Sequence, residues 1–287
     1  TSILHIRKLQ DRARKDNTTF CAVCQDIGYS IRTKSAHRTK QTNGDGYLPK
    51  ILEAYSSLSE VSPYGRRVDN ITNLPRWDAN YHIALPPKII QRLNNPSGED
   101  IFVSTVAKLS GEKTDPRRWG TGDFQYIEIS DIDFQTCMIR AKTIPCAEAP
   151  SRARKLVRTG DVLVSTVRPE RQIVGVVQPE QDGSVCSTGL AVLRPHSIHP
   201  LVLAHLLKTD FVTRQIVRNT LGIAYPAIDE QCLLDILLPI QQQDLDSLHI
   251  QAQTILDLEE RVQTQRVAFQ NVIKNMTPNW SSEEIDF

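Results

Sequence analysis

Cys21-x-x-Cys24 has the spacing of half a zinc site. A tetrahedral site needs two more ligands, none follows at the usual distances, and His37 lies nearby but alone. The pair reads as core thiols. The six cysteines, at 21, 24, 137, 146, 186 and 232, are scattered through a chain too large to need disulfides, so they are expected to be reduced. The seven histidines are equally dispersed, and no Ser, His and Asp share a local context that would support nucleophilic catalysis. Basic charge, by contrast, is clustered. Arg140, Lys142, Arg152, Arg154, Lys155 and Arg158, opposed only by Glu148, give +5 within nineteen residues. A solvated face is one reading of such a run, and contact with phosphates or base edges is the other. The planar fork of Arg suits both acceptors of guanine, while Lys acts mostly as a point charge on the backbone. Arg168-Pro169-Glu170-Arg171-Gln172 forms a second basic group, either an ordinary hairpin loop or a loop presenting Arg168 and Arg171 to a groove.

The elements that must hold these groups are mostly short strands. Phe102 to Val106, Gln125 to Ile129, Met138 to Ala141, Val162 to Val167, Ile173 to Val177 and Leu190 to Leu193 alternate with Gly, Pro and Asp punctuation. In Leu156-Val157-Arg158-Thr159-Gly160-Asp161-Val162-Leu163-Val164-Ser165 a Gly-Asp turn launches a buried strand. A helix is expected from Pro200 through Val217, and a last strand from Leu233 to Pro239. The fold class is therefore α+β: a curved, mainly antiparallel sheet with peripheral helices, followed by a long coiled-coil-like helix. That helix carries one heptad register, with Leu248, Ile255, Val262, Phe269 and Met276 at d and Leu245, Ala252, Glu259, Arg266 and Ile273 at a. Such a stripe wants a partner.

Charge is uneven. Net charge is +1 overall, but residues 1 to 60 hold 10 basic and 6 acidic side chains, and residues 241 to 287 hold 3 and 8. The tail is unsuited to phosphate. No apolar run approaches the ~20 residues of a membrane span, and the first residues lack the apolar core of a signal peptide, so a cytoplasmic protein without a membrane is expected.

The order of Val106-Ala107-Lys108-Leu109, Trp119-Gly120, Tyr126 to Ile132 and the Gly160-Asp161 run resembles the target-recognition domain of type I restriction-modification specificity subunits. Arg76-Trp77-Asp78-Ala79-Asn80-Tyr81-His82 resembles the Arg-Leu-Asp-x-x-Tyr-Tyr opening of many such subunits, with Trp in the Leu position. The resemblance covers about residues 76 to 276. It implies a DNA-facing loop after the first strand, which makes Lys113, Thr114, Arg117 and Arg118 contacts, and it places Tyr225 in the family's Gly-containing turn, to stack, bond a phosphate or cap the core. It also implies long helices that pack antiparallel as a spacer and methylase docking surface; with one recognition domain and one long helix, this chain looks like half of such a subunit, completed as a homodimer. Phe20 through Asp26-Ile27-Gly28-Tyr29 to Leu48-Pro49-Lys50-Ile51-Leu52 is similar to the C-terminal end of adenine-N6 DNA methylases. Their catalytic tetrapeptide is absent, because Pro86-Pro87 stands between Leu85 and Lys88, and the glycine-rich cofactor loop is absent too.

Together these readings divide the chain into a methylase-like helical segment (1 to 61), a linker and opening helix (62 to 100), a DNA target-recognition domain (101 to 240), a long dimerisation and spacer helix (241 to 277) and a mobile tail (278 to 287). The function expected is double-stranded DNA recognition without catalysis or a cofactor of its own. An adenine-N6 methyltransferase partner would carry S-adenosylmethionine, and a restriction subunit is a further partner. Two alternatives stand beside it. Residues 19 to 55 favour the C-terminal recognition part of a single-chain DNA methyltransferase, and the near-zero net charge favours a protein-interaction scaffold using the long helix.

Overall fold

The computed structural model describes residues 18–23, 46–56, 61–62, 65–69, 76, 78–221 and 226–276. They form two compact units: residues up to Pro96 with Arg214–Thr220, and Ser97–Thr213 with the residues from Leu221 on.

In the first unit, β1 (Thr18–Ala22), α1 (Leu48–Ser56), β2 (Val61–Ser62) and β3 (Gly65–Asp69) precede α2 (Ala79–Ile83) and α3 (Pro87–Asn94). The three strands pair antiparallel with β3 in the middle, so part of the span expected as linker is strand. Gly65 permits this pairing, because a Cβ there would collide with the Phe20 ring. That ring meets Tyr55 of α1 edge-on at 5.3 Å. The motif around Arg76 closes the unit. Asp78 caps α2 by accepting from the Tyr81 amide at 2.9 Å, and Arg76 pairs with Asp78 at 2.7 Å. Arg76 also donates to the Arg218 and Thr220 carbonyls, and Arg218 donates back to the Tyr81 carbonyl at 3.0 Å. Both guanidiniums lie against the Tyr81 ring, 5.1 and 4.0 Å from its centroid. Beneath them Arg66 donates to the His82 and Leu85 carbonyls at 2.7 and 2.5 Å. Burial, then the charge of Arg218, holds the Arg66 guanidinium below its ordinary range. Trp77 lies outside the described residues.

The second unit starts with a helical turn, α4 (Val103–Val106), where a strand was expected; pairing begins only at β4 (Ala107–Leu109). Then come β5 (Asp123–Ile127), β6 (Lys142–Pro145), β7 (Ala153–Leu156), β8 (Val162–Ser165), β9 (Val174–Val176), β10 (Val185–Ser187) and β11 (Leu190–Pro195). They make two four-stranded sheets, ordered β6-β5-β10-β7 and β4-β11-β8-β9, antiparallel except for β5 beside β10. Ile127 and Cys186 of the first share one core with Leu163, Leu190 and Val192 of the second. Burial pushes the Cys186 thiol up to about 12, so it serves as core rather than nucleophile. Met138 to Ala141 contributes only an Ile132–Ile139 bridge. Leu233 to Pro239 is not a strand either. Leu233, Ile236, Leu237 and Leu238 are fully buried, and the run is held by a 3-10 turn and a lone Phe102–Leu237 bridge. A short apolar run of this kind has the same composition whether it pairs or merely fills.

Gly160, at φ 83°, turns the chain into β8, every residue of which is buried. Asp161, its side chain 1% exposed, accepts from the Arg158 amide at 2.8 Å and from Nε and Nη2 of Arg194 at 2.8 and 2.9 Å. These bonds push the Arg194 guanidinium further above its ordinary range.

The expected helix from Pro200 is two helices, α5 (Pro200–Leu207) and α6 (Asp210–Arg218). Thr209 divides them: its hydroxyl donates to the Leu206 carbonyl and accepts from the Val212 amide, stopping one helix and starting the next. Then α7 runs for 32 residues, Leu245–Met276. Its start packs on its own unit through Leu245 and Ala252, and every side chain described from Asp257 on is exposed. No coiled coil forms within the described residues. At about 100° per residue, Ile255, Leu258, Val262 and Phe269 fall within about 60° of one another, on a stripe centred roughly 100° round the axis from Leu245 and Ala252. Position 266 lies about 40° round the axis from Val262, at the edge of the exposed apolar stripe.

The start of α7 is fastened by two imidazoles. Unprotonated Nε2 of His249 accepts from the His199 amide at 3.0 Å, and Nδ1 of His199 caps α5 by accepting from the Leu201 amide at 3.2 Å. Burial, then the nearness of His249, lowers the His199 pKa. A depressed histidine contributes stability that is present above its unfolded value of about 6.5 and lost as pH falls through the lowered one. Unfolding free energy is therefore expected to fall between pH 7.5 and 5. His199→Asn, which keeps a capping acceptor without the titration, is expected to flatten that slope in urea denaturation; an unflattened slope would remove His199 as its source.

Candidate nucleic-acid interface

The loop after β4 runs along the outer edge of β7. The Thr114 amide donates to the Arg154 carbonyl at 2.9 Å, the Leu156 amide donates to the Glu112 carbonyl at 3.1 Å, and Lys113 bridges Lys155. Two candidate groups distant in sequence become one surface. At its centre is Asp115, which caps the 3-10 turn Pro116–Arg118 and pairs with three guanidiniums: Arg154 at 2.8 Å, Arg117 at 3.2 Å and Arg118 at 3.8 Å. One carboxylate cannot neutralise three cations. Lys113 and Arg152, two residues before Asp115 and Arg154 in the chain, are exposed, and among the described residues neither has a carboxylate within ion-pair distance. Thr114 accepts the Trp119 indole N–H at 3.1 Å.

Three other members of the cluster are already engaged. Lys155 is 11% exposed and turned inward, 2.5 Å from Glu230 and 2.6 Å from the Leu190 carbonyl. Arg158 binds Glu112 at 3.0 Å, and Glu112 also holds Arg194 at 2.7 Å. Hydrogen bonds from Arg194, then Arg158, hold that carboxyl below the usual range. Lys142 pairs with Asp131 at 2.7 Å, which raises its pKa. Arg140 is exposed on the loop before β6.

The third group is a fixed turn. Arg168 and Gln172, at φ 50° and 54°, flank the 3-10 turn Pro169–Arg171 in the left-handed region, which costs non-glycine residues about 1 kcal/mol or more each. The strain is held by the Arg168 amide on the Pro226 carbonyl at 2.9 Å and by the Gln172 side chain on Thr213 at 2.8 Å. Arg171 is exposed at the apex and Arg168 is half-buried. Tyr225 lies outside the described residues. Among the described residues no group of three or more His, Cys, Asp or Glu could hold a metal ion, and no helix is long and apolar enough to cross a membrane.

Sequence reading missed Asp115 and Trp119. Asp115-Pro116 carries a usable signal, a capping residue followed by Pro. The pairing of Asp115 with Arg154, 39 residues away, carries none.

No family model matches the chain, and no curated protein matches it. Among solved structures, the crystal structure of the HsdS subunit from Thermoanaerobacter tengcongensis is 30% identical over 63% of this chain and 49% of that one, with a TM-score of 0.49. The chain is similar to an HsdS subunit. A chain from a structure concerned with complex assembly and conformational transition of the type I R-M system is 29% identical over 67% of this chain and 52% of that one, with a TM-score of 0.46. This chain spans about half the length of the HsdS subunit and of that second chain.

Proposed function

We propose that this chain recognises double-stranded DNA in a sequence-specific way, as the HsdS-like specificity component of a type I restriction-modification or related adenine-N6 methyltransferase system in the cytoplasm. The observation that supports the reading best is the convergence of Arg117, Arg118 and Arg154 on a single carboxylate, Asp115, with Lys113 and Arg152 exposed two residues before Asp115 and Arg154 in the chain. These residues hold phosphates and set register, while Arg171, on its fixed turn, reads a base edge. Selection from random duplexes on the purified protein is expected to enrich one sequence, bound with strong salt dependence. Recovery of unenriched sequence, or of no DNA, would sink the reading.

The chain supplies recognition only. S-adenosylmethionine belongs to the methyltransferase partner, which flips and methylates the adenine, and a restriction subunit joins the assembly. Calorimetry is accordingly expected to detect no micromolar binding of S-adenosylmethionine to this chain, whose sequence has neither the methylase tetrapeptide nor the cofactor loop. The exposed stripe of Ile255, Leu258, Val262 and Phe269 on α7 packs antiparallel on a second copy or on the methyltransferase. Val262→Glu is expected to lower the mass measured by light scattering, or to abolish methyltransferase capture, while the second unit stays folded. A wild-type chain that is monomeric at high concentration and ignores a cognate methyltransferase contradicts the pairing.

A further inference from the structure

Trp119 offers a large apolar face in the middle of the cationic surface, and its geometry is that of a contact rather than a cover. The residue is 46% exposed. Its one polar atom is already used, because Nε1–H donates to Thr114 Oγ1 at 3.1 Å. The ring is fixed a second time, edge-on to Phe124 at 6.0 Å and 77°. Its backbone N–H donates to the Pro116 carbonyl, which locks the residue directly after Arg117 and Arg118. Gly120 and Gly122, at φ 86° and 131°, then turn the chain onward. Phe134, comparably exposed at 47%, is different, since Lys208 lies over its ring at 4.6 Å. No cation of this chain sits over the Trp119 ring among the described residues, so its face is left for a ligand. A ring held in one rotamer loses little conformational freedom on binding.

We propose that Trp119 packs flat against a deoxyribose or an exposed base edge of bound duplex DNA, as the apolar element of the phosphate-holding surface; the proposal rests on the nucleic-acid reading above. A salt-independent contact next to salt-dependent ones gives a distinct signature. Removing an arginine that holds a phosphate lowers the slope of log affinity against log salt by nearly one, whereas removing an apolar contact lowers affinity at every salt concentration alike.

The test uses the whole chain, a labelled duplex taken from the selection, and anisotropy titrations at several salt concentrations. Trp119→Ala is expected to weaken binding about tenfold with an unchanged salt slope. Trp119→Phe, which keeps the contact with Phe124, is expected to retain most of the affinity and the wild-type melting temperature. Duplex is expected to quench wild-type tryptophan emission and to leave that of Trp119→Phe largely unquenched. Wild-type affinity in Trp119→Ala, or equal quenching in wild type and Trp119→Phe, overturns the proposal and leaves the indole as a cover for Phe124. A wild-type chain that binds no duplex overturns the nucleic-acid reading itself, and this proposal with it.

Discussion

Asp161→Ala is expected to destabilise the second unit by about 3 kcal/mol, measured as a lowered midpoint in urea unfolding with an unchanged m-value. The carboxylate is 1% exposed and answers two nitrogens of Arg194 and one backbone amide. Its removal leaves the Arg158 amide without an acceptor and strips Arg194 of the more buried of its two counter-ions, and uncompensated groups cost more than the pair contributes when whole. Arg194 keeps Glu112 and is 31% exposed, which holds the figure near the lower end for a broken buried pair. A loss below about 1 kcal/mol would mean that the turn into β8 is set by Gly160 and the β-branched strand alone.

Replacing Arg117, Arg152 and Arg154 together with Ala is expected to have the largest effect on DNA binding. Each guanidinium that releases a counter-ion contributes about 0.9 to the slope of log affinity against log salt, so three lost contacts remove nearly three and lower affinity about a hundredfold or more at physiological salt. The fold should survive, because Asp115 keeps Arg118 and its amide bond to residue 117. An unchanged slope returns these residues to a solvated face. Lys155 is the informative contrast, since it was grouped with Arg152 and Arg154 on sequence alone. Lys155→Ala should reduce stability by leaving Glu230 unpaired, with little change in slope.

That contrast shows where sequence is readable. The strands β8, β9 and β11 were legible from composition, because buried β-branched runs bounded by Gly and Asp have few other uses. Charge was legible as a zone. Which cation faces outward was not, since it depends on partners such as Glu230 and Asp115, which lie 75 and 39 residues from Lys155 and Arg154. The short β7 and β10 were illegible for a related reason: Ala-Arg-Lys-Leu and Val-Cys-Ser become strands only because neighbours pair with them. On α7 the heptad was visible, but the unit's own claim on Leu245 and Ala252, which moves the free stripe round the axis, was not.

The clasp of Arg76, Tyr81 and Arg218 has a consequence for how this chain can be cut. Arg76, residues 78 to 82 and residues 214 to 220 belong to the same unit, yet the chain leaves that unit after Pro96 and returns to it only for seven residues before departing again. The polypeptide therefore crosses between the units three times. A single protease nick between Pro96 and Ser97 should leave two fragments that travel together until denaturant is added. A truncation beginning at residue 97 would export a short strip of one hydrophobic interior, with Arg218 attached, into water. Boundaries drawn along the sequence and boundaries drawn through space part company here, and a truncated chain that respects only the first would inherit an orphaned helix end.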